Sequence, residues 1–328
     1  MREEFFVSEE GQLDESAAGE FGFLSIGQIR RAISEGTITL NGNRASPSAH
    51  VAPGDVVAIE DGAGGMERIE PAPPAPEVLF DDESVIAVDK PAGVSIVPER
   101  GTAQWPFMGM LLYHAQTCDL CRGVRFRIVH RLDRDTSGVV IIAKTLAAGQ
   151  TLTRQFALGH VRKRYRALVQ GVCAKDSGVI DAPIVHAKRG RVLMAVGTSG
   201  KPSVTEWRVA ERFKGYALLD VLPRTGRTHQ IRVHLAHAGL PLAVDEMYAG
   251  SKELKLSAIK RGYKRAGPET PLASRLTLHC AEITFAHPVT GESINVAAPL
   301  PEDLRRTLKA LGKWAACEGG NPRADALE

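Results

Sequence analysis

The sequence lacks the features that would place a protein outside the cytoplasm. Its five cysteines are an odd number scattered over 328 residues, which does not suit a disulfide framework. No apolar run approaches the length of a transmembrane helix. The acidic opening MREEFFVSEEGQLDES has neither the basic nor the apolar region of a secretory signal. We therefore expect a cytoplasmic protein with reduced thiols and no membrane partner.

Motifs of common cofactor-binding and hydrolytic sites are also missing. No GxGxxG or GxSxG stands between a strand and a helix, and no phosphate-binding loop occurs, so nucleotide cofactors and serine hydrolysis lack support. Cys118 and Cys121 have the spacing of a zinc knuckle, but no second CxxC or suitably spaced histidine pair completes four ligands. We expect neither a cofactor nor a metal.

Length and composition predict two folded units. The chain is longer than one hydrophobic core usually supports, and 44% hydrophobic with 24% charged residues is ordinary globular composition. The segment PAPPAP at 71–76 excludes helix and favours an extended linker. We place a first domain at 1–70 and a second at 77–312, and expect 313–328 to be a disordered tail. The net charge of +3 is too small to identify a partner.

The first domain has the pattern of a small α+β unit. Three isoleucines at helical spacing predict a helix: Ile26, Ile29 and Ile33. A strand through Ile38 and Leu40 leads to the Asn-Gly pair at 41–42, which predicts a hairpin turn. A second turn at 53–55 precedes a last strand at 56–59.

The second domain has six strand-like runs separated by turns. They are VIAVD (85–89), VVIIA (139–143), YRALVQG (165–171), VTEWRVAER (204–212), YALLDVLP (216–223) and LTLHCAEITF (276–285). Several alternate apolar with polar residues. This pattern predicts an α+β fold with a largely antiparallel mixed sheet flanked by helices.

Two clusters of polar residues could carry chemistry. The first, HRLDRDTSG at 130–138, stands immediately before an apolar strand, where a loop can present charge at the edge of a sheet. The second, RTGRTHQIRVHLAHAG at 224–239, is rich in arginine and histidine. Taken alone, the first could equally be a turn with an ordinary ion pair, and the second reads as a solvated basic helix.

Together, these clusters resemble the RluA-type RNA pseudouridine synthases. The motifs HRLDxxTSG and TGRTHQIRVH are joined by four further segments in the family's order: DESVIAVDKPAGVSIV (82–97), KRY (163–165), GKPSVTEW (200–207) and LHCAEITFAHPVTG (278–291). The likeness covers roughly residues 77–300. The first domain is similar to the small RNA-binding module named after ribosomal protein S-four, although the usual opening is replaced by QLDESAAGEFG. The resemblance implies a pseudouridine synthase fold behind an RNA-binding domain.

The resemblance also implies a reaction and its residues. Uridine in structured ribosomal or transfer RNA is isomerised by a monomeric enzyme, which breaks the bond from ribose to the uracil nitrogen and rejoins the base through carbon 5. The family assigns the essential carboxylate to Asp133, its ion-pair partner to Arg232 and an aromatic contact with the base to Tyr165. The sequence leaves open whether the carboxylate acts as nucleophile, stabilises a cationic sugar or removes a sugar proton. Asp135, the competing carboxylate, is assigned a surface role.

Further residues are expected to contact the RNA. Arg131 matches the family residue that braces the gap left by a flipped-out uridine. Contacts are also assigned to Lys163, Arg227 and His229 in the second domain and to Arg30 and Arg31 in the first. Other basic residues are expected to hold phosphates: Arg162, Arg164, Arg166, Lys188, Arg189, Arg191 and the run at 255–265.

Two other functions stay open. A non-catalytic RNA-binding or ribosome-assembly protein would share the fold, but binding alone needs no carboxylate facing an anionic backbone. A carboxylate-based glycosidase or nucleoside hydrolase would break the same bond, but would leave the first domain unexplained. One segment departs from the family: LAVDEMY at 242–248 has Val244 before Asp245 where a glycine is usual, so we expect this turn to be remodelled.

Overall fold

The computed structural model describes residues 3–20, 26–60, 69–97, 106–187, 193–264 and 267–317. The chain divides into two compact units. The first comprises Met1–Arg134, Val139–Val161 and Thr284–Val296, and the second comprises Asp135–Gly138, Arg162–Ile283 and Ala297–Glu328. No helix in the described ranges is both long and apolar enough to cross a bilayer.

The described elements are strands, helices and one 3-10 helix. The strands are β1 Glu3–Phe6, β2 Gly11–Gln12, β3 Ile38–Leu40, β4 His50–Val51, β5 Val56–Ile59, β6 Glu77–Asp81, β7 Val85–Lys90, β8 Arg127–Ile128, β9 Ser137–Ala143, β10 Arg162–Gln170, β11 Ser177–Asp181, β12 Ile184–His186, β13 Met194–Val196, β14 Val204–Phe213, β15 Tyr216–Pro223, β16 Leu278–Ala286 and β17 Ser293–Ala297. The helices are α1 Leu13–Glu20, α2 Ile26–Glu35, α3 Pro106–Ala115, α4 Leu146–Ala157, α5 Gln230–His237, α6 Leu256–Ile259 and α7 Glu302–Trp314, and a short 3-10 helix spans Asp119–Cys121.

The N-terminal part of the first unit is a small sheet covered by α1 and α2. Strands β1, β5 and β3 pair antiparallel in that order. The predicted hairpin turn is confirmed, since Asn41 and Gly42 have positive φ angles of 50° and 80° and Leu40 exchanges backbone hydrogen bonds with Asn43. Ile29 and Ile33 are buried as predicted, but Ile26 is 42% exposed. The sequence pattern did not predict β1 or α1.

The same unit continues beyond the proline-rich segment. Strands β6 and β7 pair antiparallel, as do β8 and β9. The N-terminal sheet contacts this part of the unit directly, because Arg127 in β8 forms a 3.0 Å ion pair with Glu4 in β1. Phe6 also packs so closely on Gly149 of α4 that a Cβ there would overlap its ring. The predicted domain boundary at 71–76 stays a prediction.

The second unit is built on a sheet in the order β11, β14, β15, β10 and β16. The pairs of β14 with β11 and of β15 with β14 and β10 are antiparallel. Strand β16 also pairs in parallel with the first residues of β9, His279 opposite Ser137 and Cys280 opposite Gly138. The six predicted strands are confirmed, and the mixed sheet with flanking helices establishes the α+β class.

The end of α7 extends past the predicted end of the second domain. The helix continues through Trp314, and Ala315 is buried with its carbonyl accepting a hydrogen bond from Lys214 N at 2.6 Å. Packing against the core cluster that includes Phe213 and Leu311 explains why this stretch is ordered. The predicted boundary at 312 therefore falls inside a helix, and residues 318–328 lie outside the described ranges.

The pairing of β9 with β16 makes Gly138 a sensitive position. Its φ of 116° disfavours any side chain, and a Cβ would overlap the backbone of Cys280 in the neighbouring strand. We expect Gly138→Ala to lower the free energy of unfolding by more than about 3 kcal/mol. Gly312→Ala is the matched control, because this helical position has open space and should gain up to about 1 kcal/mol. Urea unfolding measures both, and equal effects would contradict the packing described.

Candidate active site

The turn that follows Asp133 is held by a buried lysine. Lys90 is fully buried, and its ammonium donates hydrogen bonds of 2.8 to 2.9 Å to the carbonyls of Pro91, Val94 and Arg134. The backbone N–H of Gly93 donates to the same Arg134 carbonyl at 2.9 Å. The backbone immediately after Asp133 is therefore fixed from inside the first unit.

The residues before Asp133 alternate between core and surface. His130 accepts a 2.9 Å hydrogen bond from Ile141 N at its Nε2 and stacks on Phe156 with ring centroids 4.4 Å apart. Leu132 is buried, whereas Arg131 is exposed and Asp133 is half-buried. This alternation leaves the side chains of Arg131 and Asp133 accessible to solvent, while the buried side chain of Leu132 anchors the loop.

The end of the loop, in the second unit, is fixed by a separate polar network. Ser137 Oγ lies 3.0 Å from His279 Nδ1 and accepts a 3.1 Å hydrogen bond from Arg275. Arg275 in turn forms a bidentate pair with Asp303 at 2.7 and 2.8 Å. His279 is fully buried, and this burial lowers its pKa to about 4. The imidazole is thus neutral at physiological pH. Its Nε2 faces the Ala298 carbonyl, and its Nδ1 accepts a hydrogen bond from the Ser137 hydroxyl.

The arginine-rich second motif is organised by Gln230. Its side-chain oxygen accepts hydrogen bonds from the Thr225 hydroxyl at 2.7 Å and Arg227 N at 3.0 Å. Its amide nitrogen donates to Val204 O at 2.9 Å and Thr205 Oγ1 at 3.0 Å. Because this buried amide is satisfied at both ends, the TGRTHQ loop has a defined shape against β14.

Helix α5 is not the solvated basic helix that the sequence suggested when taken alone. Every residue from Gln230 to Leu235 is buried, because the helix packs on β14 and β15. His234 bonds Thr205 Oγ1 and the Ala182 carbonyl, both at 2.9 Å, and its burial lowers its pKa. It is a neutral core residue.

Arg232 forms a buried bidentate pair with Asp245. Its Nε and Nη2 donate to the two carboxylate oxygens at 2.8 and 3.0 Å, and Asp245 is 1% exposed. The same carboxylate accepts from Met247 N and Tyr248 N. The family pairing of Arg232 with Asp133 concerns residues of different units and stays a prediction. Sequence reasoning overlooked Asp245, although the unusual 242–248 segment contained it.

Tyr248 connects this pair to His229. The Arg232 guanidinium carbon lies 4.9 Å from the centroid of the Tyr248 ring, and the Tyr248 hydroxyl lies 2.9 Å from His229 Nδ1. His229 has a left-handed backbone conformation with φ 55° at the start of α5. The strained turn is thereby held by a side-chain hydrogen bond and an aromatic contact.

Tyr165 and Lys163 lie on strand β10 of the second unit. Tyr165 is 8% exposed and stands opposite Val221 in β15. Lys163 Nζ lies beside Gly226 in the second motif, within 3.8 Å of where a Cβ would be. Burial lowers the pKa of Lys163. The structure thus places Lys163 of the KRY segment next to Gly226 of the TGR loop.

Several predicted phosphate contacts are already paired with acidic side chains. Arg164 contacts Glu282 at 2.5 Å and Asp220 at 3.2 Å, and Arg166 lies 3.4 Å from Asp220. These carboxylates offset the positive charge of Arg164 and Arg166, and the contact of these arginines with RNA phosphates stays a prediction. Lys188, Arg189, Arg191 and the last residue of the 255–265 run lie outside the described ranges.

The two arginines assigned to RNA in the N-terminal part have different environments. Arg30 pairs at 2.7 Å with Asp14, which is almost fully buried. Arg31 is 80% exposed and pairs with Glu35 of its own helix at 3.0 Å. Arg31 is therefore the better placed of the two to contact a large polyanion.

Sequence models of two domain families match this chain. The model described as RNA pseudouridylate synthase matches residues 84–237, and the S4 domain model matches residues 21–57. A ribosomal large subunit pseudouridine synthase D from Xanthomonas campestris is 35% identical over 311 residues, covering 93% of this chain and 90% of the relative. An uncharacterized RNA pseudouridine synthase from Bacillus subtilis is 33% identical, covering 87% and 89%.

Solved structures give the same fold. The human RNA Pseudouridylate Synthase Domain Containing 1 structure aligns with a TM-score of 0.52 and 26% identity, covering 70% of this chain and 86% of its own. The Domain Containing 4 structure has a TM-score of 0.55 and 22% identity, covering 72% and 92%. The expected fold is confirmed.

The buried His279 predicts a pH dependence of stability. Its folded-state pKa of about 4 lies below the ordinary value of 6.5, so the unfolded chain binds the proton more tightly and stability is lost as pH falls through this range. We compare the free energy of unfolding in urea of the wild type and of His279→Gln at different pH. The difference between the two should shrink by roughly 3 kcal/mol as the pH falls from 6.5 to about 4. The exposed His160→Gln control should run parallel to the wild type. A wild-type advantage that is independent of pH would refute the neutral buried state.

Proposed function

The chain belongs to the RNA pseudouridylate synthase family, and from this premise we propose that it isomerises selected uridines of large-subunit ribosomal RNA through Asp133. Several relatives named for the large ribosomal subunit, including that of Pasteurella multocida at 33% identity, align over more than 90% of this chain. The S4 domain supports an extended RNA substrate. Transfer RNA is the second candidate, since the same chemistry acts on any uridine that reaches the site.

Asp133 is the group we assign to the reacting sugar. Breaking the bond between ribose and uracil develops positive charge at the anomeric carbon, which a nearby carboxylate stabilises or captures. The base then turns and carbon 5 joins the anomeric carbon. Carbon 5 loses its proton and the ring nitrogen released from the sugar gains one, so that the net reaction is an isomerisation. The observation that carries this assignment is the turn fixed by Lys90, because it holds the half-buried carboxylate in a defined position.

Arg232 and Tyr165 are assigned supporting roles in the same reaction. A carboxylate in a largely closed site needs a cation to stay ionised, and the rigid guanidinium of Arg232 suits that task better than a lysine would. Tyr165 provides an aromatic face for the base and a hydroxyl that can assist proton removal from carbon 5. The Asp245 pair supports the role of Arg232, because it fixes the guanidinium before substrate arrives.

Flipping the uridine out of its helix is assigned to Arg131. A stacked base cannot reach a pocket, so the enzyme has to unstack it and occupy the space left behind. The exposed position of Arg131 next to Leu132, which anchors the loop, supports this role. Lys163, Arg227 and His229 provide further polar contacts to the RNA from the second motif and from strand β10.

Removing the charge of Asp133 tests the assignment. We expect Asp133→Asn to lower the rate of pseudouridine formation at least roughly a thousandfold, with RNA affinity nearly unchanged, because the amide keeps the size and loses the charge. Asp135→Asn is the matched control and should stay near wild-type activity. Rates are read by pseudouridine-specific sequencing of the treated RNA, and free uracil is measured in parallel. Wild-type turnover by Asp133→Asn would contradict the assignment of the essential carboxylate to Asp133. No pseudouridine formation by the wild type would favour a non-catalytic RNA-binding protein, and released uracil would favour a hydrolase.

The RNA-binding role of the N-terminal part is tested at Arg31. Its exposed pair with Glu35 contributes little stability, so Arg31→Ala should unfold like the wild type. We expect KM for large-subunit RNA to rise about three- to tenfold with kcat unchanged and a shallower salt dependence of binding. Arg30→Ala is less clean, because it leaves the buried Asp14 without its cation. If Arg31→Ala lowered kcat and left KM unchanged, this part of the chain would have a different role.

A further inference from the structure

Four potential metal ligands converge in the first unit. Asp81, His114, Cys118 and Cys121 each offer one ligand atom, and these atoms all lie within 4.8 Å of one another. Asp81 ends strand β6, His114 lies in the last turn of α3, and Cys121 ends the short 3-10 helix. None of these residues has a role in the reaction assigned to Asp133.

The backbone brings three of these ligands together locally. The N–H of Cys118 donates to the carbonyl of His114 at 3.2 Å, and the N–H of Cys121 donates to the carbonyl of Cys118 at 3.1 Å. A tight turn thus folds the HxxxCxxC segment so that its imidazole and both thiols face the same point. Asp81 comes from a strand far earlier in the chain.

Within the part of the chain that the structure describes, one of the four ligand atoms lacks a hydrogen-bond partner, and the two thiols share a single acceptor. His114 Nε2 is buried and has no hydrogen-bond partner among the described residues. Both cysteine sulfurs lie near one carboxylate oxygen, Asp81 Oδ2, at 3.6 Å for Cys118 and 3.8 Å for Cys121. A buried nitrogen without a partner is costly, and two thiols and a carboxylate at such distances favour a bound cation that all of them could ligate.

We propose that Asp81, His114, Cys118 and Cys121 bind one zinc ion. Two thiolates and an imidazole are typical zinc ligands, and a carboxylate oxygen completes a tetrahedral set. Because four protein ligands leave no position open for water or substrate, the site is structural. Calcium and magnesium are disfavoured, since both prefer sites built only from oxygen.

The charge balance supports a dication. Two thiolates and one carboxylate around a zinc ion leave one negative charge in excess. The side chain of Lys144 is fully buried, and its ammonium contacts the other Asp81 oxygen, Oδ1. It also donates to the carbonyls of Asp82 and Leu120. Lys144 therefore neutralises the excess charge and orients the Asp81 carboxylate, the role that outer-shell groups have at metal sites.

Zinc at this site would join the segment that precedes the HRLD loop to the sheet. The ion links the end of α3 and the 3-10 helix to the end of β6, and the chain then passes through β8 into His130 and Asp133. A structural zinc contributes its binding free energy to folding. We infer that the site stabilises the connection leading to the catalytic loop and takes no part in the chemistry.

Metal analysis of the full-length protein tests the site. The protein is expressed with added zinc, purified under reducing conditions without chelators and measured by plasma mass spectrometry. We expect about one zinc ion per chain, lost in Cys121→Ser and in His114→Asn. Cys317→Ser and His160→Asn, both at exposed positions, are the matched controls and should retain the ion.

Two further measurements use the wild-type protein, so they test the site even if a ligand variant fails to fold. Cobalt replacing zinc in the wild type should give the near-ultraviolet band of thiolate coordination and the strong visible absorption of tetrahedral Co²⁺. Removing the metal with a chelator should lower the thermal midpoint by roughly 5 to 10 °C, restored by zinc.

Three results would overturn the proposal. A wild-type protein that binds neither zinc nor cobalt would exclude the site. A Cys118 to Cys121 disulfide in its place, detected by thiol titration and mass spectrometry, would make the pair a redox couple. Folded single variants with undiminished zinc would place the ion elsewhere on the chain.

Discussion

The position of Asp133 depends on the buried ammonium group of Lys90. A charged lysine in a protein interior is costly unless its donors are satisfied, and three backbone carbonyls satisfy them here. One of these carbonyls belongs to Arg134, the residue after the carboxylate. The buried ammonium therefore fixes the turn after Asp133, and the role proposed for this carboxylate requires such a defined position.

Buried polar groups also organise the second unit. Asp245 fixes Arg232, Gln230 shapes the TGRTHQ loop, and His279 with Arg275 holds Ser137. Such groups contribute little net stability when complete, but losing one partner of a buried ion pair costs about 3 to 5 kcal/mol. Substitutions at these positions would therefore lower activity through misplacement, even where the altered residue never touches RNA.

Local sequence patterns were sufficient for eight of the described strands and for the turn at Asn41, because alternation and turn chemistry act over a few residues. They did not predict β1 or the other strands. Contacts between distant segments were not predictable in this way. The buried state of His234 depends on Thr205 and Ala182, which only the folded sheet brings near it. The spacing of common zinc motifs, a second CxxC or a histidine pair, does not include His114, four residues before Cys118, or Asp81 on a separate strand, although the fold brings these side chains together. Motif resemblance suggested the candidate catalytic residues Asp133, Tyr165 and Arg232, whereas the buried partner of Arg232, Asp245, required the structure.

The proposed activity is the conversion of uridines in large-subunit ribosomal RNA to pseudouridine. The direct measurement maps pseudouridine across ribosomal and transfer RNA in cells with the gene deleted and in cells with it restored. We expect specific pseudouridines of the large-subunit RNA to disappear on deletion and to return on restoration, while transfer RNA is unchanged. Identical pseudouridine maps in the two strains, or changes confined to transfer RNA, would contradict it.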